Sequence, residues 1–153
     1  DAAPLAWFPG PGAVIAGFGA VAAWLEISKL LHIIIRKEDV TEQRMNIIDD
    51  KEFLQLAAMN LPLGKTFLPH KHIFCERTTT IAQESWVVIQ GKVRAILYDI
   101  NDEILIEEIL NPGDCSVTLY GGHNYEILEN DTLVYEYKTG PYKGPKFDKV
   151  IID

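Results

Sequence analysis

From Arg44 to the end of the chain, apolar and polar positions alternate in short runs, and helical spacing is scarce. The runs are rich in β-branched and aromatic residues, and turn-forming pairs such as Gln90-Gly91 and Asn130-Asp131 separate them. A strand and its turn every ten residues or so is typical of closed or double-sheet all-β folds. The predicted strands are Ile33–Arg36, Glu52–Met59, Thr79–Gln83, Ser85–Gln90, Lys92–Tyr98, Ile104–Ile109, Cys115–Leu119, Tyr125–Leu128 and Leu133–Lys138.

The beginning of the chain follows a different pattern, because no charged residue occurs from Ala2 to Leu25. Proline and glycine interrupt the first half of this stretch, and Ala13–Leu25 would make only about 20 Å of helix. A hydrocarbon core is ~30 Å thick, so we expect no membrane span. We interpret residues 1–26 as an accessory apolar segment, helical or irregular, with Ala20–Leu31 as the helical stretch. The domain proper is predicted over 27–153.

The same stretch contains Gly17-Phe-Gly19-Ala-Val-Ala22, which matches the dinucleotide-binding fingerprint. Glu38 and Asp39 follow about twenty residues later, where a ribose-binding acid is expected. Such a site needs parallel strands that alternate with helices, and the chain after Asp39 has no such alternation. We therefore favour a packing segment over a dinucleotide site.

Composition and charge narrow the function. The chain has 153 residues, about the length of one domain, with 48% hydrophobic and 24% charged residues. Its formal charge of −8 argues against a nucleic-acid-binding surface and against attachment to anionic lipid. Two cysteines, Cys75 and Cys115, are expected to be free and reduced, which suits a cytoplasmic protein.

Three of the four histidines lie at positions that suggest chemistry. His70 and His72 are two residues apart, so in an extended chain both imidazoles lie on one face and can form half of a metal site. Glu84 begins an apolar strand, where a buried carboxylate would require an explanation such as a functional role. His123 follows a Gly-Gly turn that can place a side chain at a barrel mouth, whereas His32 lies in an apolar run and is expected to be structural.

Taken in order, these residues resemble the two sequence motifs of the cupin superfamily. The matching positions are Gly64, His70, His72, Glu84 and Gly91, followed by Pro112-Gly113 and His123. Eleven residues separate His72 from Glu84, where three or four are usual in the family. Glu76 is therefore an alternative to Glu84 as the carboxylate ligand, and Cys75 is a possible further ligand or redox-sensitive thiol.

Two shorter stretches are similar to one branch of that superfamily, the WbuC-type cupin-fold metalloproteins. They are Pro69-His70-Lys71-His72 and Gly140-Pro141-Tyr142. The resemblance implies an all-β fold with a single jelly-roll barrel around a metal. It also implies an association with bacterial surface-polysaccharide and nucleotide-sugar metabolism, and a homodimer, because sheet edges commonly pair in small cupins.

The resemblance implies a site in which His70, His72, Glu84 and His123 bind one divalent transition metal. Three imidazoles and one carboxylate suit Zn, Fe, Mn, Ni or Cu, and the ligands alone do not choose among them. Four protein ligands on an octahedral ion leave two positions for water or substrate. Tyr98, Tyr125 and Arg94 are candidate catalytic residues.

Three functions fit this site. The first is a metal-dependent isomerase, epimerase or lyase that acts on a sugar or nucleotide-sugar-like ligand. The second is a metal-independent sugar-nucleotide ketoisomerase with His70 and His72 as acid and base. The third is a non-catalytic module that binds a carbohydrate or a metal. The fold does not choose among them.

Overall fold

The computed structural model of the chain describes residues 14–17, 20–24 and 29–153. These residues are mostly β, and their helical elements are two single 3-10 turns, Lys37–Asp39 and Pro145–Phe147. None of the helices among them is long and apolar enough to cross a membrane. The strands are β1 Val14–Gly17, β2 Ala20–Trp24, β3 Leu30–Ile35, β4 Met45–Asn46, β5 Ala57–Ala58, β6 Glu84–Gln90, β7 Val93–Tyr98, β8 Ile104–Leu110, β9 Cys115–Thr118, β10 Gly122–Ile127 and β11 Leu133–Lys138.

The described strands form three antiparallel sheets. A six-stranded sheet has the order β1-β2-β3-β9-β6-β11, and a three-stranded sheet has the order β10-β7-β8. β4 and β5 form a small separate ladder. The predicted all-β class is therefore confirmed.

The middle of the six-stranded sheet is buried on both faces. On one face, Ile33, Ile35 and Val117 pack with Ile48, which lies in the connection between β4 and β5. On the other face, Ile34 and Val88 pack against residues of the three-stranded sheet: Val93, Ala95, Leu97 and Leu110. Each such side chain contributes roughly 1.5–3 kcal/mol when fully buried. The two sheets therefore face each other across this second core.

The predicted helix over Ala20–Leu31 is wrong. Ala20–Trp24 is strand β2, which pairs with β3 in the register Val21↔Ile34, and β3 begins at Leu30. Pairing with an isoleucine-rich strand overrides the weak helix preference of the alanines. The domain boundary drawn at residue 26 thus falls between two strands that pair with each other, while residues 1–13, 18–19 and 25–28 lie outside the described part.

The dinucleotide fingerprint also falls on this sheet. β1 and β2 pair antiparallel in the register Gly17↔Ala20, and Phe18 and Gly19 lie outside the described residues. A dinucleotide fold would instead have a strand followed by a helix. The pairing agrees with the interpretation of this stretch as a packing segment.

Two predicted strands are also wrong. Within Glu52–Met59 only Ala57–Ala58 forms a strand, and Leu54 and Leu56 pack on the first core from irregular chain. Thr79–Gln83 is not a strand, because the hydroxyl of Thr79 bonds to the backbone of Ile81 and competes with ladder pairing. The other seven predicted strands are confirmed with ends shifted by up to three residues.

His32 is a fully buried histidine in β3, with 1% of its surface exposed. Its Nε2 lies 2.7 Å from the carbonyl oxygen of Tyr98, so Nε2 carries a proton and donates it. Nδ1 then accepts from the hydroxyl of Thr118 at 3.1 Å. Burial lowers the pKa of His32 to about 4, against the opposing effect of the Tyr98 hydrogen bond. The expected structural role of His32 agrees with these contacts.

The free energy of unfolding is predicted to fall as the pH drops from 6.5 to 4. Over that range the unfolded state binds a proton at His32 and the folded state does not, because its pKa is about 4. The loss amounts to about 3.5 kcal/mol at most, at roughly 1.4 kcal/mol per pKa unit. Urea unfolding at several pH values measures it.

The variant His32→Gln keeps a donor and an acceptor but does not titrate, so its stability should depend less on pH than that of the parent. His70→Gln, the same substitution at an exposed histidine, is the matched control. Equal pH dependence in the parent and in His32→Gln would contradict the assignment.

Candidate functional site

A carboxylate–imidazole pair joins the two sheets. Glu84 begins β6 of the six-stranded sheet, and His123 lies in β10 of the three-stranded sheet. Glu84 Oε1 is 3.2 Å from His123 Nε2, and the two side chains are 17% and 26% exposed. Side chains on a strand alternate between its faces, so Glu84, Trp86 and Val88 share the face directed at the other sheet. The pair therefore lies beside the second core and is partly open to solvent.

Two aromatic side chains extend this polar pair into the protein. The indole of Trp86 donates to Glu84 Oε1 at 3.0 Å and stacks on Tyr125, with ring centroids 4.1 Å apart. The Tyr125 hydroxyl is 3.1 Å from the Ser116 hydroxyl of β9, and its ring lies 5.3 Å from that of His123. Glu84, Trp86, Tyr125 and His123, which we call the inter-sheet cluster, are thus held in one contact chain.

The surroundings shift the pKa values of two residues of this cluster, Glu84 and Tyr125. Burial alone would raise the pKa of Glu84, but the hydrogen bond and charge of His123, together with the Trp86 indole, outweigh it, and the pKa is lowered. Burial raises the pKa of Tyr125. Around neutral pH, Glu84 is therefore an ionised acceptor and Tyr125 a protonated donor.

His123 has a ring nitrogen that the described residues leave unpaired. Its Nδ1 is buried without a hydrogen-bond partner among them, while Nε2 contacts Glu84. Leaving a buried polar atom unpaired costs roughly 1–3 kcal/mol. Such atoms are few in folded proteins, and each needs an explanation, such as strain, a catalytic role, or a bound water or ion.

His70 and His72 lie elsewhere, on the irregular segment 59–83 between β5 and β6. Both are exposed, and their rings are 5.6 Å apart in an edge-on arrangement. His70 Nδ1 lies 2.9 Å from the carbonyl oxygen of Leu68. If Nδ1 donates to that carbonyl, His70 Nε2 keeps a free lone pair, as metal-binding histidines commonly do.

The structure thus brings the four predicted ligands together as two pairs. Glu84 contacts His123, and His70 lies next to His72. Among the described residues, no group of three or more His, Cys, Asp or Glu side chains is arranged to hold a metal ion. The four-ligand site stays a prediction. Glu76, the alternative ligand, lies exposed on the same segment as His70.

The candidate catalytic residues have different positions. Tyr125 belongs to the inter-sheet cluster. Arg94 pairs with Glu126 at 2.6 Å on the face of β7 opposite Val93 and Ala95. Tyr98 follows the buried Leu97 in β7, so its side chain lies on the other face of the strand. The backbone carbonyl of Tyr98 accepts a hydrogen bond from His32.

Sequence reasoning missed Trp86 and Ser116. Trp86 stands two residues after Glu84, and the period of a strand puts both on one face, so this signal was available. Ser116 carried no such signal, since its burial depends on the three-stranded sheet that covers β9. The cysteines are free: Cys75 is exposed, and Cys115 is buried beside Ser85.

No family model, curated protein or solved structure matches the chain.

Removal of the Tyr125 hydroxyl is predicted to destabilise the fold. Tyr125→Phe leaves the fully buried hydroxyl of Ser116 without this partner, and the free energy of unfolding should fall by about 1–3 kcal/mol. Urea unfolding measures the change. Tyr135→Phe, at a tyrosine that is 51% exposed, is the matched control and should shift stability by less than about 0.5 kcal/mol. Equal effects of the two substitutions would count against the contact.

Proposed function

We propose that this chain is a small cupin-type protein that binds one divalent transition metal through His70, His72, Glu84 and His123. The proposed ligand is a carbohydrate-like molecule that contacts both the metal and the inter-sheet cluster. The observation that carries the proposal is the Glu84–His123 pair between the two sheets, with a buried His123 Nδ1 that has no hydrogen-bond partner within the described part of the chain. Glutamate and histidine both serve as metal ligands, and a carboxylate that contacts a histidine ring is common around metal sites.

The segment that carries His70 and His72 ends next to the Glu84–His123 pair, because residue 83 immediately precedes Glu84. Twelve peptide units separate His72 from Glu84, and an extended chain of that length spans up to about 40 Å. The length of chain on this side therefore permits the two histidines to approach the Glu84–His123 pair. In the proposal, this approach completes the jelly-roll barrel.

The donor set suits the proposed ion. It offers three neutral imidazoles and one carboxylate, which favour Zn, Fe, Mn, Ni or Cu over Mg or Ca. A bound ion of this kind supplies Lewis-acid chemistry to a carbonyl or hydroxyl oxygen. Glu84 contributes one negative charge, and the Glu84–Trp86 hydrogen bond keeps that carboxylate oriented.

The carbohydrate-like ligand is supported by the side chains around the pair. Trp86 offers apolar ring surface, and Tyr125 offers a hydroxyl whose raised pKa keeps it a hydrogen-bond donor. Hydroxyl-rich rings bind where an apolar wall meets a few well-placed polar groups. If the protein is an enzyme, isomerisation, epimerisation or elimination on a sugar or nucleotide-sugar-like substrate fits best.

One observation favours a second candidate, metal-independent acid–base catalysis. A carboxylate that accepts a hydrogen bond from an imidazole orients it and stabilises its protonated form, which is the arrangement of a general base. In that case His123 acts with Glu84 on a carbohydrate-like substrate. The two candidates differ in whether activity follows metal content.

Metal content tests the first candidate. Zn²⁺ titration of the purified chain, followed by elemental analysis, should give one ion per chain. Glu84→Gln, His123→Gln and His70→Ala should each weaken binding beyond the roughly 10- to 100-fold that loss of an outer partner costs. Glu126→Gln, at an exposed glutamate that pairs with Arg94, is the matched control and should bind as the parent does.

The outcomes separate the proposals. Binding that survives Glu84→Gln and His123→Gln but is lost on His70→Ala would restrict the ion to the 59–83 segment and overturn the inter-sheet site. If folded parent protein binds no Zn²⁺, Mn²⁺, Ni²⁺, Cu²⁺ or Fe²⁺, the metal proposal fails. Any activity would then have to depend on the Glu84–His123 pair without a metal.

A further inference from the structure

The chain leaves the six-stranded sheet beside the inter-sheet cluster. β11 ends at Lys138, which lies directly opposite Glu84 of β6. Directly opposed residues of an antiparallel pair share a face, so the Lys138 side chain is on the face that is directed at the three-stranded sheet. Among the described strands, β11 and β10 each have a neighbour on one side only, and β10 faces β6 through the Glu84–His123 contact. The chain after β11 therefore begins at the open side of the space between the sheets.

The chain then crosses from one sheet to the other. Asp148 returns to the end of β11, where its Oδ2 lies 3.3 Å from the ammonium nitrogen of Lys138. Four residues later, Ile152 contacts the three-stranded sheet: its Cδ1 occupies the space that a side chain on Gly122, the first residue of β10, would take. We call residues 139–153 the strap, because they join the two sheets beside the inter-sheet cluster.

Side chains rather than strand pairing hold the strap. Beyond residue 139, every backbone hydrogen bond that it makes within the described part of the chain is internal, such as the one from Phe147 to Gly144. Phe147, Val150 and Ile151 are between 78% and 91% exposed. Segments with few buried contacts and few backbone hydrogen bonds to the rest of the fold open locally at low cost. The strap can therefore leave its position while both sheets stay paired.

We propose that the strap is a lid over the inter-sheet cluster, and that a ligand gains access to the site when the strap opens. In the closed position, the Lys138–Asp148 ion pair ties the strap to one sheet and Ile152 ties it to the other. Opening breaks both contacts and uncovers the end of the cluster at which Glu84 meets His123. The inference rests on the proposed function, because the strap covers the proposed binding site.

Chemical modification of histidine measures this access without a metal. Diethyl pyrocarbonate acylates accessible imidazole nitrogens, and peptide mass spectrometry gives a rate for each histidine. In the closed state, His123 has one ring nitrogen buried and the other beside Glu84. It should therefore react more slowly in the parent than the exposed His70 does, and His32, which is 1% exposed, should stay unmodified as long as the protein is folded.

Loss of the ion pair should speed this reaction. Asp148→Asn is expected to raise the His123 rate, relative to the His70 rate, by about 1.5- to 5-fold, the range for a partly exposed ion pair. Glu136→Gln is the matched control: it also removes a carboxylate near Lys138, at 3.9 Å, but from β11 and not from the strap. The control should leave the relative rate unchanged.

Loss of the apolar contact tests the other end of the strap. Ile152→Ala should raise the relative His123 rate about fivefold, and Ile151→Ala, at a neighbour that is 78% exposed, should not. An unchanged rate in Asp148→Asn or in Ile152→Ala, or an equal rise in the controls, overturns the strap. Failure of the proposed function looks different: the chain binds no metal, while the His123 rate still depends on the strap.

Discussion

The burial of the middle of the six-stranded sheet, strands β3 and β9, on both faces is the constraint on which the rest of the structure depends. β3 has five consecutive buried residues, and all four residues of β9 are buried. Any polar side chain on these strands must find a partner inside the protein. His32 bonds to Thr118 and to the Tyr98 carbonyl, and Ser116 bonds to Tyr125. Hydrogen bonding between polar residues thus accompanies apolar packing where the two sheets meet.

This constraint also explains where the candidate site lies. Near Val88 and Leu97 the space between the sheets is filled by aliphatic side chains. Toward Glu84 and His123 it is filled by a carboxylate, two imidazoles, hydroxyls and two stacked aromatic rings. The space between the sheets thus changes from apolar to polar along its length, and the titratable side chains lie together at its polar end. The inter-sheet cluster is therefore a structural contact between the sheets, and it is the position at which we propose binding.

Much of the strand pattern could be predicted from the sequence, because β6, β7, β8 and β11 are rich in β-branched and aromatic residues and end at recognisable turns. The N-terminal strands could not, since an alanine-rich run such as Ala20–Trp24 becomes a strand only through its partner β3. Glu84 and His123, two residues of the predicted ligand set, contact each other in the structure. The position of His70 and His72 depends instead on the long irregular segment 59–83. Local pattern carries little information about where such a segment lies, because few of its backbone groups pair with each other.

The most direct measurement of the central claim is a nuclear magnetic resonance titration of the histidine rings with Zn²⁺. The ring signals of His70, His72 and His123 should shift together and saturate at one equivalent. His32, whose two ring nitrogens already have protein partners, should stay unchanged. Shifts confined to His70 and His72, with His123 unaffected at saturation, would contradict a metal site between the two sheets.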